Sequence, residues 1–239
     1  MSPKPIALIL GAGPNAGTAI ASSLSSLGYC IATASRSSSS TTTTTSPSSE
    51  TLSLTADFTN PSSIPPLFTR IHTDLHAYPS VVVYNAATLT PPADAGVVTS
   101  VPVDRFVADL NVNAVSPYVA AQEAVKGWKE MGKEEGGDKT FIFTGNMLNR
   151  TILPVDALVT LGVGKSASAY WVGLADEIHK GEGYRFFYAD QRQPDGSPMG
   201  NVVDGPAHGD FYAQLVQRTN EVPWLATFVK GKGHVKFDG

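Results

Sequence analysis

Seven residues near the start of the chain, Gly11-Ala12-Gly13-Pro14-Asn15-Ala16-Gly17, have the types and spacing to cradle a phosphate. The apolar run Ile6-Ala7-Leu8-Ile9-Leu10 precedes them, and residues 18–27 follow with apolar side chains at helical spacing, up to Gly28. Strand, glycine turn and helix in that order leave backbone N–H groups at a helix N-terminus, where the helix dipole favours a pyrophosphate. Taken alone, the glycines would serve equally as a tight turn needing positive φ. The flanking strand and helix make Gly11, Gly13, Pro14, Asn15, Ala16 and Gly17 candidate cofactor-binding residues. A second chemical signal is Arg36, just past the next apolar segment, 29–34. Dinucleotide folds place an acidic residue near there for a ribose 2′-hydroxyl, or an arginine for a 2′-phosphate. With no Asp or Glu beside Arg36, the expected cofactor is NADP(H); the alternative is a solvated arginine at a strand end.

The elements that must hold these residues follow in order. Residues 37–49 are almost all Ser and Thr and predict a mobile surface loop. An alternating strand covers 51–58, with Asp57 and Phe58 at its end. Pro61 opens a helix to about residue 77, with Ile64, Leu67, Phe68, Ile71 and Leu75 on one face. The run 81–84 is continuously apolar, as parallel-sheet interiors are, and leads into Asn85-Ala86-Ala87. A Pro-rich loop over 90–102 precedes a long helical segment from 103 to about 131, which Pro117 is expected to kink. A charged surface turn at 129–138 precedes a strand at 140–144, and a helix rich in small residues follows from about 154 to 180. Further strands at 184–189 and 225–229 flank a Pro/Gly-rich loop at 190–209, read as a substrate-side loop, and a helix at 210–220. Strands alternating with helices, about seven of them and with no internal repeat, predict one doubly wound parallel sheet, a Rossmann fold filling residues 1–239 as a single domain. The glycine turn then lies at the carboxyl edge of the sheet, beside its topological switch point.

Composition narrows the function. The 239 residues carry a net charge of −4, which gives no electrostatic footprint for nucleic acid or an anionic membrane. Cys30 is the only cysteine, so an internal disulfide and a cysteine-based metal site are not expected. Of the five histidines only His72 and His76 have ligand spacing, and they fall on an exterior helix face, so no metal is expected. No run is long enough to span a bilayer and none reads as a signal peptide, so the expectation is a cytoplasmic protein.

In their order and spacing these residues resemble the short-chain dehydrogenase/reductase family over most of the chain. Residues 11–17 resemble its Gly-x-x-x-Gly-x-Gly turn, with Asn15 for the middle glycine, a residue that tolerates positive φ. The resemblance implies that Asp57 and Phe58 lie by the adenine, and that Asn85, Ala86 and Ala87 lie beside the cofactor ribose. It also implies that Asn111 is the helix asparagine of a proton relay. Lys165 resembles the lysine of the family's Tyr-x-x-x-Lys, which binds the nicotinamide ribose and lowers the tyrosine pKa. A homodimer or homotetramer built on the small-residue helix is implied as well.

The chain departs from that pattern where a proton would be given. Leu161 stands four residues before Lys165, and Thr144-Gly145-Asn146 follows the fifth strand in place of the usual serine. Thr144 and Asn146 leave that strand toward the cleft and could hydrogen-bond a substrate oxygen, so the candidate catalytic residues are Asn111, Thr144, Asn146 and Lys165. Tyr84, Tyr188, Asp190 and His208 are further candidates to reach the cleft from other loops, whose alternative is rim or core packing. Tyr170, five residues past Lys165, turns away from it on a helix. The expected activity is NADP(H)-dependent reduction of a carbonyl or imine of a small molecule. The alternatives are a non-redox enzyme on the same fold and a nucleotide-binding protein without chemistry.

Overall fold

Strand β1 (Ile6–Leu10), buried at all five positions, is a central strand of the sheet in the computed structural model, which describes residues 4–36, 51–131 and 138–237. The others are β2 (Cys30–Ser35), β3 (Thr51–Thr55), β4 (Val81–Tyr84), β5 (Lys139–Thr144), β6 (Tyr184–Arg192), β7 (Leu225–Val229) and β8 (Gly233–His234). They form one sheet in the order β3-β2-β1-β4-β5-β6-β7-β8. Each pairing from β3 through β7 is parallel and β8 adds an antiparallel edge. The doubly wound Rossmann architecture is therefore present, with eight strands among the described residues rather than about seven; the last has only two residues, too few to show a pattern.

Successive strand residues point to opposite faces, and both faces are covered, which explains the unbroken apolar runs. Helices α1 (Ala16–Ser26) and α6 (Gly205–Gln217) pack on one face, with Ile20, Leu24, Phe211 and Leu215 against Ala7, Ile9, Val83 and Ile142. Helices α2 (Pro65–Leu75), α4 (Ser116–Met131) and α5 (Val159–His179) cover the other, with Phe68, Trp128 and Val172 among the side chains packed with Leu8, Val82, Tyr84, Phe141 and Tyr188. The small residues of α5 allow close approach: a Cβ on Gly164 would lie 2.3 Å from that of Asn113, and one on Gly173 2.9 Å from the Trp224 ring.

Several boundaries depart from the sequence reading for local reasons. The segment read as one helix from 103 is α3 (Val103–Leu110), a π-helical turn over Asn111–Val115 and then α4, so the extra residue of the π turn falls just before Pro117. Helix α5 starts at Val159, after a 3₁₀ turn over Asp156–Leu158. Strand β3 stops at Thr55, and α2 at Leu75, where His76 turns left-handed at φ 57°. Strand β6 runs on to Arg192 because Asp190, Gln191 and Arg192 pair with Thr227, Phe228 and Val229. The following loop is correspondingly shorter, and α6 begins at Gly205 because the Asp204 carboxylate accepts the Ala207 amide as its N-cap. The Ser/Thr run 37–49, and most of the surface turn 129–138, lie outside the described residues.

Candidate functional site

A cleft of about 640 Å³ opens at the carboxyl ends of β1, β2 and β4, where the strand order reverses. Its floor is the turn Gly11–Pro14, its walls Ser35 and Arg36 on one side and Asn85 to Thr88 on the other, with Phe58, Thr59 and Val112 closing the end. Gly11 carries the positive φ of the turn, 92°, and touches the segment just after β4 so closely that a Cβ there would lie 2.4 Å from the Ala86 amide nitrogen. Asn85 fastens the same contact by donating its side-chain amide to the Gly11 carbonyl at 2.9 Å. A Cβ on Gly17 would meet Ala12 Cα at 2.7 Å, so this glycine lets α1 pack down on the turn. Gly13 differs: nothing lies within 4 Å of where its Cβ would stand, and it faces the open cleft.

Asn15 behaves otherwise than expected. Its φ is −93°, so the turn needs no left-handed residue at that point, and its side chain does not cap α1. It donates instead to the Val203 carbonyl at 2.8 Å, which fastens the loop before α6 onto the turn. The N-terminus of α1 thus has no side-chain cap over the cleft floor, the arrangement that suits an anion.

Of the expected cofactor residues, Gly11, Gly13, Pro14, Arg36, Phe58, Asn85, Ala86 and Ala87 line this cleft, whereas Asn15, Ala16, Gly17, Asp57 and Lys165 do not. Arg36 is exposed at the rim. The Asp57 carboxylate accepts both the hydroxyl and the amide of Thr59, at 2.7 and 2.9 Å. Those bonds, with a smaller effect from Arg36, hold it below the usual aspartate range. Thr18, Ser35, Thr59, Thr88 and Val112 line the cleft without having been expected. Thr59 alone had a readable signal, the Asp-x-Thr pattern of a side chain folding back on the backbone two residues away.

A second group sits at the ends of β5 and β6. Lys165 is buried on α5, donates to the Thr144 carbonyl at 2.6 Å and lies 4.5 Å above the Phe143 ring. Loss of water around the ammonium pulls its pKa down to about 7, opposed by the charge of Asp190. Asp190 is buried too, pairs with Arg192 at 2.6 Å, and is pushed up to about 6 by that burial. The Thr144 hydroxyl accepts from Tyr212 at 2.9 Å. Tyr188 donates to the Asn146 carbonyl and accepts its amide, at 2.8 and 3.2 Å, beneath Gly145, where a Cβ would lie 2.1 Å from its ring. Tyr84 is fully buried and donates to the Val112 carbonyl at 2.6 Å. His208 is buried between the Tyr212 and Phe228 rings. Tyr170 points outward at 76% exposure, as its helical offset from Lys165 requires.

Asn111, expected in a proton relay, bonds to Thr59, and the asparagine packed against the Lys165 helix is Asn113. The Asn111 amide donates to the Thr59 carbonyl at 2.9 Å, at the end of the cleft closed by Phe58 and Thr59. Asn113 is fully buried against Gly164, donates to the Thr88 carbonyl and accepts the Thr88 amide, at 2.8 and 3.1 Å. Its own carbonyl accepts Ser168 of α5 at 2.8 Å. The π turn is what brings Asn113 rather than Asn111 against the Lys165 helix. Leu161, one turn before Lys165, is half-buried. Among the described residues no group of three His, Cys, Asp or Glu is placed to hold a metal, and no helix is long and apolar enough to cross a membrane.

No family model matches the chain. It is 36% identical over 247 residues to the short-chain dehydrogenase/reductase dmxR12 of Cryptosporiopsis sp. (strain 8999), covering 98% of this chain and 95% of that protein. Among solved structures it is similar to a short-chain dehydrogenase from Burkholderia cenocepacia J2315 in complex with NADP, with TM-score 0.75 and 17% identity over 96% of this chain and 97% of that one. The NADH-dependent reductase A1-R′ complexed with NAD has TM-score 0.79 and 14% identity, covering 95% of this chain and 94% of that one. At those identities the two structures speak for the fold alone.

Proposed function

We propose of this chain, which belongs to the short-chain dehydrogenase/reductase family, that it is an NADP(H)-dependent oxidoreductase reducing a carbonyl or imine of a small organic substrate. The observation that carries the reading is the uncapped N-terminus of α1 above the Gly11–Pro14 turn, with Arg36 on the same cleft. On this reading the pyrophosphate rests on the turn, beside the open face of Gly13, and Arg36 takes the 2′-phosphate, which an acidic residue there would repel. Asn111 and Asp57 shape the adenine end through Thr59, and Asn85 to Ala87 the ribose side. The nicotinamide supplies the hydride. Lys165 holds the ribose with protons that the Thr144 carbonyl leaves free, and Asn146 donates to the substrate oxygen. Thr144 orients Lys165, and Asn113 joins the Lys165 helix to the Thr88 wall.

With Leu161 one turn from Lys165, substrates that need little proton donation are favoured; an imine qualifies because its protonated form is already electrophilic. The apolar outer surface of α5, where Tyr170, Leu174 and Ile178 are exposed, supports a homo-oligomer. Titrating NADPH and NADH by fluorescence, then following nicotinamide absorbance with ketones, imines and enones, tests the proposal. Tighter NADPH and oxidation by one of these classes is the expected result. Binding with no oxidation by any class would refute it and leave the same pocket serving non-redox chemistry or nucleotide sensing.

A further inference from the structure

We propose that Asp190 is a positioning residue that keeps Lys165 charged: its buried carboxylate, held by Arg192, is the counter-ion of the Lys165 ammonium. Lys165 is 4% exposed, and its Nζ has a single carbonyl, that of Thr144, and the face of the Phe143 ring. An ammonium has three protons and a full charge, and neither a carbonyl nor a ring balances that charge away from water. The balancing charge comes from the neighbouring strand. β5 and β6 are parallel with Thr144 abreast of Ala189, so Asp190 follows the residue level with the lysine's acceptor. Alternation puts Asp190 on the same face as Phe186 and Tyr188, the face that α5 covers.

Asp190 is 1% exposed; its Oδ2 accepts Arg192 Nε at 2.6 Å, while its Oδ1 is buried with no hydrogen-bond partner. One carboxylate thus touches Arg192 and, from the strand beside the lysine's acceptor, bears on Lys165 through space. The remaining neighbours bring no competing charge. From β6 comes the Tyr188 hydroxyl, engaged with Asn146; from α6, the Tyr212 hydroxyl, engaged with Thr144; from the π turn, the neutral Asn113. Burial raises the pKa of both tyrosines, so they stay neutral, and Asp190 is the one anion that acts on Lys165 among the described residues. Burial pulls the lysine down to about 7 and pushes the aspartate up to about 6, so the two groups titrate over the same pH range.

The titration does not depend on nucleotide; only its use in holding the ribose rests on the proposed function. It is read on the whole protein without nucleotide, by NMR of ¹³C-labelled Lys and Asp side chains across neutral pH, with Lys165→Met assigning the lysine signal. In the wild type, the Lys165 signal is expected to show a second inflection at the pH where the Asp190 carboxyl titrates. In Asp190→Asn the Lys165 midpoint is expected to fall by about one pH unit or more, and Asp190→Glu is expected to recover part of that shift. NADPH affinity of Asp190→Asn is then expected to drop several-fold more than wild type between mildly acidic and neutral pH. A Lys165 curve with no feature at the Asp190 midpoint overturns the proposal even if Asp190→Asn fails to fold. So does an unmoved midpoint in a folded Asp190→Asn. Failure of NADPH to bind any form would sink the cofactor reading while leaving the coupled titration in place.

Discussion

Gly11 and Gly13 stand two residues apart in one turn and should fail in opposite ways when a methyl group is added. At Gly11 the new Cβ would lie 2.4 Å from Ala86 N, 2.7 Å from Ala86 Cα and 2.9 Å from Asn85 C, all backbone atoms. Backbone cannot swing aside as a side-chain tip can, and here it is tied down, since the Asn85 and Ala86 amides both donate to the Leu10 carbonyl, at 2.7 and 3.1 Å. Relieving the contact means parting the turn from the Asn85–Ala86 backbone by about 1 Å, at an overpacking cost of about 1–3 kcal/mol. A side chain at φ 92° adds about 1–2 kcal/mol. Gly11→Ala is therefore expected to lose about 2–5 kcal/mol, a large part of the 5–15 kcal/mol typical of a folded domain. In urea that lowers the unfolding midpoint by roughly 1 M or more. At Gly13 the Cβ meets nothing within 4 Å, so Gly13→Ala should stay within about 0.5 kcal/mol of the parent. It should nonetheless weaken NADPH at least about tenfold, or about 1.4 kcal/mol, because the methyl occupies the space assigned to the pyrophosphate. An unshifted urea midpoint in Gly11→Ala would refute the packing argument. Unchanged NADPH affinity in Gly13→Ala would refute the placing of the pyrophosphate.

Leu161→Tyr places a phenol one helical turn from Lys165, and general acids contribute roughly 10²–10⁴-fold, so carbonyl reduction should rise by about tenfold or more. An unchanged kcat on every ketone tried would mean that the proton already arrives by another route. Asn113→Ala removes two part-buried hydrogen bonds to Thr88, so it should cost about 1–3 kcal/mol in urea unfolding. A loss under about 0.5 kcal/mol would show that water replaces the amide at no cost.

What was legible in the sequence follows the range over which each feature is determined. The run Ile6–Leu10, the turn after it and the run Val81–Tyr84 announce themselves locally, because a strand buried on both faces must be apolar throughout and a turn touching backbone must have glycine. Gly11 in the cleft was legible for that reason, whereas Arg36 was read from the cofactor pattern of dinucleotide folds and Asn85 to Ala87 from the family resemblance. Asn111 was matched by the family resemblance, yet the asparagine packed on the Lys165 helix is Asn113, and a helix read straight through 103–131 cannot register the π turn that holds both. Nor was the reach of β6 through Asp190 to Arg192, since its polar end resembles a loop until β7 is known to pair with it. Asn15 was read by its tolerance of positive φ, when its bond to Val203, 188 positions away, is what holds it.

The polar groups around β5 bear on where a proton could come from. Tyr84, Tyr188 and Tyr212 are the phenols nearest the strand ends, and each already spends its proton on a fixed acceptor: the Val112 carbonyl, the Asn146 carbonyl and the Thr144 hydroxyl. Burial raises the pKa of all three, so none gives up a proton readily near neutral pH, and none is exposed to a substrate. Their effect is mechanical: Tyr212 fixes the Thr144 side chain and Tyr188 fixes the Asn146 backbone, so the last turn of β5 is held from both faces of the sheet. A phenol used as a brace cannot also serve as an acid without releasing the strand it braces. On the proposed function, the group left to meet charge developing on a substrate oxygen is the Asn146 amide, which donates hydrogen bonds but no proton; the Lys165–Asp190 pair titrates near neutrality but is as buried as the phenols. The demand for a strong acid therefore falls on the substrate, which is the physical reason that an imine or an already polarised carbonyl fits this site better than a simple ketone.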